Sequence, residues 1–424
     1  MTDVRYTDVQ HIDLPFGPPA GGWTDESALA AVAGALGLSV GDEILDGGSP
    51  ARVYRAGTAS GEALVVKVLV AGDGVVDGHD LTSFRHKLRQ IELIRAGAPR
   101  LAAHYLPIVH ALDGDTWSAC TTPYYASEDL AAPLRGPSDG AETFFRRYTA
   151  VVRALVLDGY AVHAVPAPAG HLAAITVGRF LRRLPVLRGA LPAELLDADR
   201  FVVNGVPCDA PRLVLDRLTA RHSDRLARMA PVRLMLPAHG DANTRNLLLR
   251  ELPGTDAEFR IIDPRGATDP WDPVYDLAKT LFSLSVWDPG LRLGFSVRRS
   301  GRGEYEVGFR QQVFPGYRAA IHRFLPFLRA TDGLAELFED DPHWLERLLL
   351  LHDLHVLAEA PCRLSDPKPK PDVRGANSTP TELALGHYLL GALLINDLDV
   401  QLGRPGELDA DRHLALVADH LPGG

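Results

Sequence analysis

The segment His239-Gly240-Asp241-Ala242-Asn243-Thr244-Arg245-Asn246-Leu247-Leu248-Leu249 constrains this chain more than any other. It sets an aspartate on a loop and an asparagine five residues later, at the start of an apolar strand. A carboxylate and an amide oxygen at that spacing suit phosphoryl transfer. The first accepts and orients an acceptor hydroxyl, and the second holds Mg2+. The chain then reaches Arg260-Ile261-Ile262-Asp263-Pro264-Arg265-Gly266, where Asp263 ends another apolar strand 22 residues beyond Asp241. A lone aspartate at a strand end is usually a turn former. Directly after a D-x-x-x-x-N loop it reads as a second ligand for Mg2+, which favours hard oxygen donors. A third piece, Asp272-Pro273-Val274-Tyr275-Asp276-Leu277-Ala278-Lys279, opens a helix. Asp276 there is either a simple helix-start residue or an anchor for the loop backbone from below.

The rest of the chain supplies a scaffold of matching size. Its 424 residues, 46% hydrophobic and 23% charged, bury a large core without disulfides or a structural metal. Cys120, Cys208 and Cys362 lie far apart and form neither a zinc pattern nor a disulfide framework. A net charge of −10 disfavours nonspecific binding to nucleic acid or an anionic membrane. The apolar run Ala28–Val40 is too short to span a bilayer, and Asp3, Asp8 and Asp13 stand where a secretory signal carries basic residues. A reducing cytoplasm is the expected location.

Residues 1–39 read as a Gly/Pro-rich arm and a short helix from about Thr24. Residues 40–121 alternate in strand fashion around one helix, Leu81–Arg95, and look like a small, mostly antiparallel sheet. From Glu142 the spacing is mainly helical, with a loop at Val165–Ala169, short strands at Arg233–Leu236, Asn246–Leu249 and Phe259–Ile262, and a hairpin over Phe295–Phe309. Pro361–Pro380 reads as a loop or lid. The expected class is α+β: a small β-rich N-terminal lobe followed by a large, mainly helical lobe.

HGDANTRNLLL, IIDPRG and DPVYDLAK, in this order and at these spacings, resemble the aminoglycoside phosphotransferase and choline kinase superfamily, a branch of the protein-kinase-like fold. The motifs cover residues 239–279 directly, and the lobe order extends the likeness over residues 40 to 290. The resemblance implies a bilobal enzyme with a hinge at residues 122–125 and a helical lobe over 126–424. It implies transfer of the γ-phosphoryl of ATP, with Mg2+, to a small-molecule hydroxyl. Asp241 would be catalytic, Asn246 and Asp263 the metal ligands, and His239 and Asp276 structural support.

Upstream parts follow from the same resemblance. Lys67, inside Leu64-Val65-Val66-Lys67-Val68-Leu69, would contact the α- and β-phosphates. Glu92 is the only carboxylate on the next helix, either the ion-pair partner of Lys67 or an isolated surface residue. The hairpin Gly47-Gly48-Ser49-Pro50 would cover the phosphates through N–H groups and the Ser49 hydroxyl, or is an ordinary β-turn. Thr122 and Tyr124 fall at the hinge, whose backbone would meet the adenine edge without distinguishing ATP from GTP. Arg265 would hold a phosphate or a loop carboxylate, or form a structural salt bridge, and Arg179, Arg182, Arg183 and Arg188 read as a solvated helix face.

On the acceptor side, Glu339, Asp340 and Asp341, or Asp353 and Glu359, would suit an amine-bearing sugar, cyclitol or related antibiotic. Arg298, Arg299 and Arg302 would instead favour an anionic group. The expected partner is thus a small molecule, with no nucleic acid or membrane. A housekeeping sugar kinase is the rival to an antibiotic-resistance enzyme. A nucleotide-binding pseudokinase is the reading from another class, opposed by the joint presence of Lys67, Glu92, Asp241, Asn246 and Asp263.

Overall fold

A computed structural model describes residues 9–12, 22–44, 50–72, 78–160, 163–221, 223–236, 238–250, 258–366, 368, 370–404 and 408–418. The small lobe is built on β1 (Gln10–His11), β2 (Leu38–Glu43), β3 (Arg52–Thr58), β4 (Ala63–Val70), β5 (His110–Asp113) and β6 (Trp117–Pro123). Their spatial order is β1-β5-β6-β4-β3-β2. Every pairing is antiparallel except β1 with β5. Alternation along β4 sends Leu64, Val66 and Val68 into the core and Val65 and Lys67 to the opposite face. The core face is covered by α1 (Asp25–Leu36), whose Ala28 and Val32 pack on Val66, Val68 and Trp117. The expected helix, α1, thus completes the sheet's core, and β1 its edge.

Thr24 starts α1 with a capping box, its hydroxyl accepting from the Ser27 N–H at 3.2 Å and Ser27 Oγ accepting in return from the Thr24 N–H at 2.8 Å. The second helix of this lobe, α2 (Leu81–Gly97), is capped by Asp80, which accepts from the Ser83 N–H at 2.8 Å. It lies against the cleft side of the sheet, where Phe84 packs with Leu69 and Ala51.

The large lobe is mainly helical. Trp344–Leu364 packs between Val274–Phe282 and Pro380–Leu402. Pro380–Leu402 has the length and apolarity of a membrane span, yet 78% of that window is buried inside this helical core. Three features differ from the sequence reading. Pro361 lies within the helix ending at Leu364, so the expected loop starts later, and Lys370–Pro371 then pairs with Asn377–Ser378. Val165 and Pro166 belong to a strand, His163–Pro166, paired with Arg233–Leu236. The hairpin Phe295–Phe309 belongs to a four-stranded sheet, because Glu304–Phe309 also pairs in parallel with Arg200–Val203.

One register matters most for the site. Leu247–Arg250 pairs antiparallel with Glu258–Ile261, opposing Leu247 to Ile261. The residues flanking this pair, Asn246 and Ile262, are joined by an Ile262 N–H to Asn246 carbonyl bond of 3.0 Å. That pairing brings the chain's two key loops side by side.

Candidate active site

The loop carrying Asp241 is clamped onto the helix Val274–Phe282 and the turn that follows it. Asp276, Thr280 and Ser283 fall at i, i+4 and i+7 and so share one face. Asp276 Oδ2 accepts from the His239 and Gly240 N–H groups at 3.0 and 3.1 Å, and Oδ1 accepts from the Ala242 N–H at 3.3 Å. Thr280 Oγ1 donates to the Ala242 carbonyl at 2.8 Å, and Ser283 Oγ accepts from the Thr244 N–H at 3.0 Å. Burial pushes the Asp276 carboxyl up to about 6, against the pull of its backbone donors. Gly240 makes the turn at φ +77, where an added β-carbon would sit 3.0 Å from that of Arg265.

His239 is fully buried and ties the loop to the neighbouring strand. Its Nδ1 accepts from the Asp241 N–H at 3.0 Å, which leaves Nε2 to donate to the Ile262 carbonyl at 3.0 Å. Burial pushes its pKa down, so it is a neutral strut. Asp241 is held by Asn246, whose Nδ2 donates to its carbonyl at 2.8 Å and to Oδ2 at 3.2 Å. On the other side Lys279 Nζ lies 3.1 Å from Oδ1. Burial alone would lower the Lys279 pKa, but the Asp241 charge together with Glu359, Tyr275 and Cys362 outweighs it and the pKa is raised. Lys279 carries no role in the motif as read from sequence; one helical turn beyond Asp276, it shares the face that meets the loop.

Asp263 stands at φ +54, one of two non-glycine residues with positive φ among those described. Backbone held there is strained, and such positions concentrate at functional sites. Its Oδ1 meets Lys67 Nζ at 2.7 Å and also Lys87 Nζ. Burial would raise the carboxyl pKa, but Lys67 and then Lys87 outweigh it and hold it far below the usual range. Asp263 and Asn246 are the residues that would hold a divalent cation, and their chemistry fits one. Asp263 already draws two ammonium groups as stand-ins, and the Asn246 Nδ2 bonds leave its amide oxygen as the available donor.

Glu92 requires a correction, because it does not pair with Lys67. It is 48% exposed and bonds to Arg89 at 3.0 Å. Five residues along a helix turn the side chain roughly 140°, so when Lys87 faces the cleft Glu92 faces solvent. Gln90, which carries no role in the sequence reading, links α2 to both loops. Its Oε1 accepts from Gly266 and Ala267 N–H at 2.6 and 3.0 Å, and its Nε2 donates to the His239 carbonyl at 3.2 Å.

Lys67, Lys87, Asp241, Asn246, Asp263 and Lys279 line one cleft of about 600 Å³ between the lobes. Ile44, Val53, Val65, Ile108, Leu248 and Ile261 give it an apolar slot, bordered by Thr122 and Tyr124. Tyr124 is stacked by Arg55 at 4.9 Å, and its N–H is donated to the Ala63 carbonyl at 2.9 Å, so that donor belongs to the sheet. Gly47, Gly48 and Ser49 lie outside the described residues. The segment after Leu364 reaches the small lobe, with Lys368 Nζ donating to the Ala51 carbonyl at 2.7 Å and Ser365 Oγ 2.7 Å from His79 Nδ1.

The acceptor side departs from the sequence reading in several places. Asp340 pairs with Arg233, and Asp341 with the buried Arg347 at 2.6 Å, both outside the cleft. Asp353 is buried between His352 and His413. Of the acidic candidates only Glu359 lines the cleft, accepting from Trp287 Nε1 at 2.7 Å and ion-paired with Arg363 at 2.6 Å. Arg298 and Arg299 pair with Glu306 and Glu194 on the surface. Conversely, Arg179 and Arg183 are no solvated face. Arg179 and Arg265 both donate to the Tyr275 hydroxyl, at 3.0 and 2.9 Å, and Arg183 is buried against Cys362.

No family model and no curated protein matches the chain. Among solved structures, a type VIII aminoglycoside-3'-phosphotransferase is similar at 19% identity, with 78% of this chain and 98% of that chain covered and a TM-score of 0.44. An amicoumacin kinase in complex with AMP-PNP and Ca2+ is similar at 12% identity, with 88% and 94% covered and a TM-score of 0.45.

Proposed function

We propose that the protein is a small-molecule kinase that moves the γ-phosphoryl of ATP to a hydroxyl of a small polar metabolite. The observation that carries this reading is the convergence of two differently held aspartates in one cleft. Asp241 is fixed by Asn246, Lys279 and the His239 strut, while Asp263 sits opposite two lysines. A divalent cation, when bound at Asn246 and Asp263, supplies neutralisation of the charge that develops on the phosphates.

The residues of the chain do the rest. The apolar slot takes the base and Lys67 takes phosphate oxygens. Asp241 accepts the acceptor's hydroxyl proton as the new O–P bond forms and the bond to the departing nucleoside diphosphate breaks. Lys279 keeps Asp241 in place and adds positive charge beside the transferring group. Glu359 supports an amine on the acceptor, and Arg179 and Arg265 support an acidic substituent. Aminoglycosides, amino sugars and related natural products are the leading acceptor class.

A mass-spectrometric screen with ATP and Mg2+ tests the reading. It spans aminoglycosides, amino and neutral sugars, sugar acids, and nucleoside and peptide antibiotics. One acceptor gaining a phosphoryl group with wild type but not with Asp241→Ala is expected. Equal turnover by Asp241→Ala removes the assignment.

A further inference from the structure

We infer that Lys87 is a second phosphate-binding lysine, and that it competes with the divalent cation for Asp263, so that metal enters the site only together with nucleotide. The inference rests on the kinase reading above and extends it to a residue that the motifs leave without a role.

Phe84, Lys87, Ile91 and Ile94 recur at helical spacing, and Phe84, Ile91 and Ile94 are buried. Lys87 therefore occupies the inward stripe, and the helix's only carboxylate, Glu92, points away. A carboxylate on that stripe would hold Lys67 and leave Asp263 to a metal. Here a third charge of the wrong sign takes its place, and both lysines fall back on the same Asp263 oxygen.

The charge count of this group is uneven. Among the described residues, Asp241 and Lys279 offset each other at 3.1 Å. Two ammonium groups then share one carboxylate, with Lys67, Lys87 and Asp263 side chains only 16%, 15% and 23% exposed. An ammonium kept from water without a full counter-charge is costly. A divalent cation on Asp263 alone makes the excess larger, since like charges then crowd one carboxylate. A polyphosphate reverses it: its oxygens receive both ammonium groups and leave Asp263 to the cation. Nucleotide without metal is therefore bound, whereas metal without nucleotide is not.

Binding measurements test this without relying on turnover. Free Mn2+ is followed by electron paramagnetic resonance, and AMP-PNP binding in EDTA by calorimetry, for wild type, Lys87→Gln and Lys87→Glu, each checked for folding by circular dichroism. Wild type is expected to leave the Mn2+ signal unchanged until AMP-PNP is added. Lys87→Gln is expected to weaken metal-free AMP-PNP binding by on the order of tenfold to a hundredfold, as loss of a charged hydrogen bond does. Lys87→Glu, which restores a carboxylate to pair with Lys67, is expected to bind Mn2+ without nucleotide. Mn2+ binding to nucleotide-free wild type as tight as to Lys87→Glu overturns the inference. So does a Lys87→Gln effect below about threefold. If wild type binds no nucleotide with or without metal, the kinase reading itself falls, a result distinct from either of these.

Discussion

Replacing Asp276 by alanine tests whether the loop carrying Asp241 is held from below. The side chain accepts three backbone N–H bonds at a site 2% exposed, where water cannot substitute. The His239 N–H keeps a second acceptor, the Tyr160 hydroxyl at 3.0 Å, so two donors are stranded. An orphaned buried donor costs about 1–3 kcal/mol, which sets the loss for Asp276→Ala at about 2–6 kcal/mol. That is a large share of a typical stability of about 5–15 kcal/mol. Asp276→Asn keeps one oxygen for His239 and Gly240 and strands only Ala242, for about 1–3 kcal/mol. Burial sets the folded pKa of Asp276 at about 6 against 3.8 for an ordinary aspartate carboxyl. Its protonated form thus adds stability that is complete below pH 3.8 and lost as pH rises through about 6. Asparagine does not titrate, so the gap between wild type and Asp276→Asn narrows across that window. Urea unfolding of the three proteins from acid to neutral pH reads all of this. An alanine variant within about 1 kcal/mol of wild type, or a gap that widens toward neutral pH, refutes the reasoning.

Other positions give separate tests. Burial alone would lower the His413 pKa, but Asp353 and Asp397 outweigh it and raise it to about 10. Stability from this ion pair is therefore full below about pH 6.5 and lost as pH rises through about 10, and His413→Gln should flatten that alkaline limb in pH-dependent melting. Gly266→Ala puts a β-carbon 2.5 Å from the Ser83 carbonyl oxygen at φ +90, whereas Gly37→Ala at φ +62 meets nothing within 4 Å. Gly37→Ala should cost about 1 kcal/mol of strain and Gly266→Ala at least about twice that, read by calorimetry. Lys279→Met should lower kcat by roughly tenfold to a hundredfold with the KM for ATP nearly unchanged.

What the sequence makes legible here is chain-local. Thr24 and Ser27 announce a helix start, and the alternation around Lys67 already says that it faces away from Val66 and Val68. The spacing of Asp241, Asn246 and Asp263 works because short apolar strands separate the loops and a hairpin register returns them to each other. Glu92 misleads because its residue type alone suggests the pairing, while the phase of Phe84, Ile91 and Ile94 points to Lys87 instead. The pairing of Arg200–Val203 with Glu304–Phe309 joins segments about a hundred residues apart, and no local pattern encodes such a contact. Arg179 and Arg183 read as a solvated run because charge alone does not reveal that Tyr275 and Cys362 lie against them. Pro361 reads as a break, yet the flanking apolar residues carry the helix through to Leu364.

In the proposed function Asp241 directs phosphoryl transfer to a hydroxyl. Phosphorus NMR of ATP, Mg2+ and an acceptor found in the screen tests it directly, with Asp241→Asn run in parallel. The γ-phosphorus signal of wild-type samples is expected to pass into a phosphomonoester resonance as ADP accumulates, while the variant leaves both unchanged. A phosphomonoester formed equally fast by Asp241→Asn, or ADP accumulating with inorganic phosphate alone, would contradict it.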